Sequence, residues 1–146
     1  MKKLVLILAF TLGFTTAAYA QKFDEDVTFE DLGPVVVRPI DNATGGCWTN
    51  MKEARNYAEG QLDMAGAKVA DDIANAAISL DISVLAERMD QGYCYGTAIV
   101  RVARFDKSWS YDTIILFSTA TTIGVVPTNF NIAVLDLIKK AVDEWK

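Results

Sequence analysis

The stretch ISLDISVLAERMDQGYCYGTAIVRV, residues 78–102, decides how this chain folds. Ile78, Leu80, Ile82 and Val84 alternate with Ser79, Asp81 and Ser83, the two-residue period of a strand that buries one face. Asp90-Gln91-Gly92 then supplies a three-residue turn with glycine where a positive φ is wanted, so the strand folds back on itself. That turn sets Met89 opposite Tyr93, and the pairing continues as Val84 with Ala98, Ile82 with Val100 and Leu80 with Val102. All these pairs share one face, and a slip of one residue would turn every one of them to solvent. The same register puts Asp81 opposite Arg101 on the other face, a favourable cross-strand charge pair. Leu85 opposite Thr97, Ser83 opposite Ile99 and Glu87 opposite Tyr95 make that outer face mixed rather than purely polar.

Upstream, Val35-Val36-Val37 after Pro34 predicts a short β-branched strand ending near Pro39, and residues 41–46 form a loop by composition. Met51, Ala54, Ala58, Leu62 and Ala65 recur at helical spacing, with Thr49 or Asn50 as a cap and Gly66 as the stop. Gly60 inside this helix suggests a close approach to the sheet. Downstream, Trp109 to Val126 is rich in Thr, Ile, Val and aromatic residues and predicts a further strand, with Tyr111, Ile115 and Phe117 on one face and Ile114 and Leu116 on the other. Pro127 ends the sheet, Thr128 or Asn129 caps a last helix, and Phe130, Val134, Leu137, Ile138, Ala141 and Trp145 make its buried stripe. The order β-α-β-β-β-α predicts an α+β two-layer sandwich, an antiparallel meander sheet with two helices packed on one face. In element order it resembles the small α/β modules that serve as accessory parts of bacterial envelope machines; no diagnostic motif accompanies the likeness.

Residues 1–20 read as an export signal cleaved after Ala20: Lys2 and Lys3, an apolar stretch from Leu4 to Phe14, and Ala18-Tyr19-Ala20. The signal carries two of the 14 basic residues and none of the 19 acidic ones, so the net charge of −5 becomes −7 once it is removed. Residues 21–33 form an acidic, mobile lead-in, and residues 34–146 a single domain. No downstream stretch approaches the roughly twenty apolar residues of a transmembrane helix. The expected location is the bacterial periplasm, with the extracellular space as the alternative.

An oxidising compartment leaves Cys47 and Cys94 to form a disulfide. Closing so long a loop is worth on the order of 4 kcal/mol in the chain-entropy model.

Among the 146 residues there is no histidine. Ser-His-Asp hydrolysis, Cys-His proteolysis and histidine-ligated zinc chemistry are therefore excluded. The acidic balance argues against nucleic acid, no glycine-rich phosphate loop follows a strand, and no cofactor or metal is expected. Asp24-Glu25-Asp26 and Asp71-Asp72 read as solvated runs, and Asp81 has an arginine partner. What remains is surface. Trp48 beside Cys47, with Tyr93 and Tyr95 around Cys94, would gather aromatics at one end of the domain, as a cluster packing on the bridge or as a recognition patch. The outer face, with Leu85, Ile99 and either Ile114 or Leu116 beside Asp81 and Arg101, is the second candidate, to be covered by the acidic N-terminal segment folding back or by another chain. The chain reads as a non-catalytic protein-interaction or envelope-assembly module whose partner is another envelope protein or a second copy of itself. The alternatives are a carrier with an apolar cavity lined by Phe117, Val134 and Leu137, and a histidine-free hydrolase that uses paired carboxylates.

Overall fold

A computed structural model of the protein describes residues 29–105, 113–114 and 119–144. The export signal, residues 21–28, Trp109, Tyr111, Ile115, Leu116, Phe117 and Trp145 lie outside them.

Strands β2 (Ile78–Arg88) and β3 (Cys94–Phe105) form the hairpin in the register that the turn dictates. Leu80 faces Val102, Asp81 faces Arg101, Val84 faces Ala98, and the Met89 N–H donates to the Tyr93 carbonyl at 2.8 Å. Gly92 takes a φ of +87°, which a side chain would resist. The residues on the inner face, Ile78, Leu80, Ile82, Val84, Ala98, Val100 and Val102, are buried. Each large one contributes about 2 kcal/mol by leaving water.

On the far side of β2 lies β1 (Val35–Ala43), parallel to it from Val35 opposite Ile78 to Ala43 opposite Ala86. The sheet is therefore mixed, which corrects the wholly antiparallel meander expected. The cause is the helix between the two strands, α2 (Met51–Met64): a helical crossover returns the chain in the direction in which it left. The antiparallel meander is confined to β2, β3 and β5 (Thr119–Val126), with the two-residue β4 (Thr113–Ile114) pairing the far end of β3. Residues 113–114 and 119–126 of the stretch expected as one strand both pair β3; the residues between them lie outside the described ones. β1 runs past Pro39 because it is an edge strand, where a missing N–H costs no ladder bond.

Helices α2 and α3 (Asn131–Asp143) both cover the inner face of the sheet, as expected of a two-layer α+β sandwich. Ala54, Ala58 and Leu62 of α2 join Val134, Leu137, Ile138 and Ala141 of α3 in one core with the inner residues of the sheet. Asn129 Oδ1 accepts the Asn131 N–H at 3.2 Å at the start of α3. Asn50 precedes α2, but its Oδ1 takes the Trp48 indole N–H at 2.9 Å instead of a helix amide. Gly60 is exposed, and among the described residues no atom beyond its own helix's neighbouring backbone lies within 4 Å of where a Cβ would sit, so it makes no close approach to the sheet, contrary to expectation. A short helix, α1 (Phe29–Leu32), inserts Phe29 into the core and ties down the end of the acidic lead-in.

Candidate interaction surface

The outer face of the sheet divides into a closed half and an open half. In the closed half Asp81 is only 2% exposed, held between Arg38 on β1 (Nε to Oδ1, 2.9 Å) and Arg101 on β3 (Nε to Oδ2, 3.5 Å). Two guanidinium groups lie over one carboxylate, so the Asp81–Arg101 pair read from the hairpin is in fact a three-residue row. Asp81 is correspondingly withdrawn from the accessible surface where it was expected. Beyond this row Val36 packs with Ala70 and Ala76, as the chain after α2 folds over the sheet. Val35 fixes that segment by donating to the Lys68 carbonyl and accepting from Ala70 N–H, both at 2.8 Å.

The open half carries three cross-strand rows. Leu85, Thr97 and Ile123 form one; Glu87, Tyr95 and Val125 the next; Ser83, Ile99 and Thr121 the third. Leu85 is 65% exposed, Tyr95 51%, Ile123 73% and Val125 56%, adjacent on one face. Ile99 is half-buried beside them. A groove of about 420 Å³ runs from this patch to the β1 edge, between Leu85, Glu87, Tyr95 and Thr97 on one side and Asn42 and Thr44 on the other. Leu85, Tyr95 and Ile99 come from the face identified in the sequence. Ile123 and Val125 were missed, because their place depends on the register between β3 and β5, which no short turn sets.

At the hairpin end Cys47 and Cys94 form the expected disulfide, with both residues fully buried. Trp48 next to it is 4% exposed and belongs to the core, so it is no part of a docking surface, contrary to expectation. Its indole is apolar enough to pack inside once its N–H has found Asn50. Tyr93 is exposed at the turn, while Tyr95 points to the opposite side of the sheet from Cys94. The three aromatics therefore do not gather on the bridge.

Arg88, opposite Cys94, holds this end together. Its guanidinium donates to the carbonyls of Gly45, Gly46 (3.2 Å), Gly92 (2.6 Å) and Thr128 (2.9 Å). One side chain thus joins the β1–α2 loop, the hairpin turn and the β5–α3 loop. The Phe130 N–H adds a bond to the Cys47 carbonyl at 2.8 Å, and Asn131 exchanges bonds with Thr49 between the starts of the two helices.

Of the carboxylates considered for acid–base chemistry, Asp72 caps the 3₁₀ turn Ile73–Asn75 by accepting the Asn75 N–H, and Asp81 is bound by arginines. Asp24-Glu25-Asp26 lies outside the described residues. Among the described residues no three cysteines or carboxylates gather as a metal site, and no helix is long and apolar enough to cross a membrane. On the surface of α3 the Asp143 carboxylate accepts a hydrogen bond from Lys139 and holds its ammonium above the usual lysine range. Val134 and Leu137, two of the residues expected to line a carrier cavity, are packed into the core; Phe117 is outside the described residues.

Fold and surface together define a small α+β sandwich with helices on one face of a mixed sheet and, among the described residues, half of the other face uncovered. Solved structures share this fold. One is a variant of the PelC dodecamer from Paraburkholderia phytofirmans, with a TM-score of 0.55 at 18% identity over 87% of this chain and 97% of that one. Another is a DUF4136 family protein from Bacteroides thetaiotaomicron, with a TM-score of 0.51 at 10% identity over 86% and 91% of the two chains. At such identities the likeness concerns the fold. No protein-family model matches the chain, and no curated protein sequence matches it.

Proposed function

We propose that this chain is a non-catalytic protein-interaction module of the bacterial envelope, exported to the periplasm and docking another envelope protein on the open half of its sheet. The observation that carries this reading is the patch of Leu85, Tyr95, Ile123 and Val125, contiguous and more than half exposed. Single exposed apolar residues are ordinary, whereas neighbouring ones in a row on one face mark an interaction site. Tyr95 and Thr97 on the central strand, with Leu85, Ile123 and Val125 beside them and Glu87 on the β2 side, give the mixture of apolar and polar groups that protein interfaces use. The disulfide and the Arg88 bonds fix the end of the sheet on which the patch lies, which keeps the surface preformed. The PelC structure supports the reading in one respect: a chain with this fold forms a dodecamer.

The test is photo-crosslinking in whole cells from position 95, paired with Leu85→Lys. The reading expects a discrete protein adduct from position 95 and its loss in the Leu85→Lys variant. Absence of any adduct, or one indifferent to the lysine, would overturn it.

A further inference from the structure

The two edges of the sheet are unlike, and the difference indicates how copies of this chain associate. In the hairpin, the Met89–Tyr93 bond fixes which residues point their backbone groups at which neighbour. Odd-numbered residues of β3 bond β2, so its even-numbered residues bond β5, and Gly96 opposite Gly124 and Ala98 opposite Thr122 are bonded pairs. The N–H and C=O groups of Thr119, Thr121, Ile123 and Val125 therefore point away from the sheet. Among the described residues nothing pairs with them.

The β1 edge is the opposite. Its outward groups belong to Val35, Val37, Pro39, Asp41 and Ala43. Val35 is already bonded to Lys68 and Ala70, Pro39 has no N–H, and the Ala43 N–H is taken by Asp41 Oδ1 at 2.8 Å. β1 is a blunted edge of the kind that blocks strand addition. β5 has none of these devices: its sequence, TATTIGVV, holds no charge and no proline and is mostly β-branched.

We infer that β5 is a self-association edge, on which a second copy of this chain adds its own β5 antiparallel to the first. Three observations select that occupant. Head-to-tail pairing of β5 with β1 is closed by the blunted edge, which leaves β5 to meet β5. With Thr121 opposite the partner strand's 123, all four outward residues of each strand are paired at once, so the segment is complementary to itself. In an exported chain of net charge −7 once the signal is removed, β5 is a stretch without charge where two copies approach with little repulsion. The two-fold axis would stand perpendicular to the sheet, placing both open outer faces side by side in one plane. The patches of two copies then form one continuous surface that stays free for the partner under the proposed function. This inference does not depend on that partner.

The test is light scattering on the exported, oxidised protein across a hundredfold concentration range, with Ile123→Pro and Leu85→Lys alongside. Proline at 123 removes an outward N–H and no bond within the sheet, so the fold survives it; circular dichroism checks this, and Thr121→Pro does the same job at the neighbouring outward position. A dimer is expected for the parent and for Leu85→Lys, with both proline variants folded and monomeric. Slowed amide exchange at 121 and 123 is expected in the parent dimer only. A parent that stays monomeric throughout, or folded proline variants that still dimerise, would overturn the inference. Loss of the crosslinked envelope partner in Leu85→Lys with the dimer intact would separate the two surfaces.

Discussion

Gly96 and Gly60 make opposite demands on a methyl group. A Cβ at Gly96 would lie 2.2 Å from the Leu85 carbonyl oxygen and 2.5 Å from the Ala86 Cα, both backbone atoms that cannot swing aside. Gly96→Ala should therefore lower stability by about 1–3 kcal/mol, measured by urea unfolding. Gly60 lies in an exposed helix interior with open space around it, so Gly60→Ala should raise stability by up to about 1 kcal/mol in the same assay. Arg88 needs its planar fork to reach carbonyls of three loops, and Arg88→Lys should lower stability nearly as much as Arg88→Ala, by about 1–2 kcal/mol. Nothing in the sequence marks Arg88, since its partners are backbone carbonyls far away in the chain. Asp81 was half legible: the hairpin register gave Arg101, but Arg38 depends on a parallel pairing that no local pattern encodes.

The β2–β3 hairpin was readable because the alternation of Ile78 to Val84 and the turn at Asp90-Gln91-Gly92 specify one register independently and agree. The stripe of α3 was readable for the same reason, with a helical period and a proline before it. β1 gave its identity but not its direction, because a strand's own residues do not say whether its neighbour runs with it. The disulfide followed from compartment and count, and it links the loop before α2 to the start of β3. Mass spectrometry with and without reductant should show a difference of two protons. Replacing Cys47 and Cys94 together by serine should lower the urea midpoint by an amount equivalent to a few kcal/mol, on the order of 4 at most.

For the molecule as a whole, the absence of histidine narrows the chemistry and the distribution of burial then directs attention outward. The inner face of the sheet is filled by two helices, and the segment after α2 closes half of the outer face. Among the described residues nothing covers the other half, and the sheet has one blunted edge and one open edge. The sequence indicated a mixed outer face, but its extent became visible only when β5 brought Ile123 and Val125 beside Leu85 and Tyr95. The proposed function makes a specific demand: a partner should be found on the open half of the sheet and not on the exposed side of α2. Photo-crosslinking from position 95 against position 64, where Met64 is 68% exposed on α2, compares the two directly. The account predicts a discrete envelope-protein adduct from position 95, abolished by Leu85→Lys, and none from position 64. Equal adducts from both positions, or adducts from position 64 alone, would contradict it.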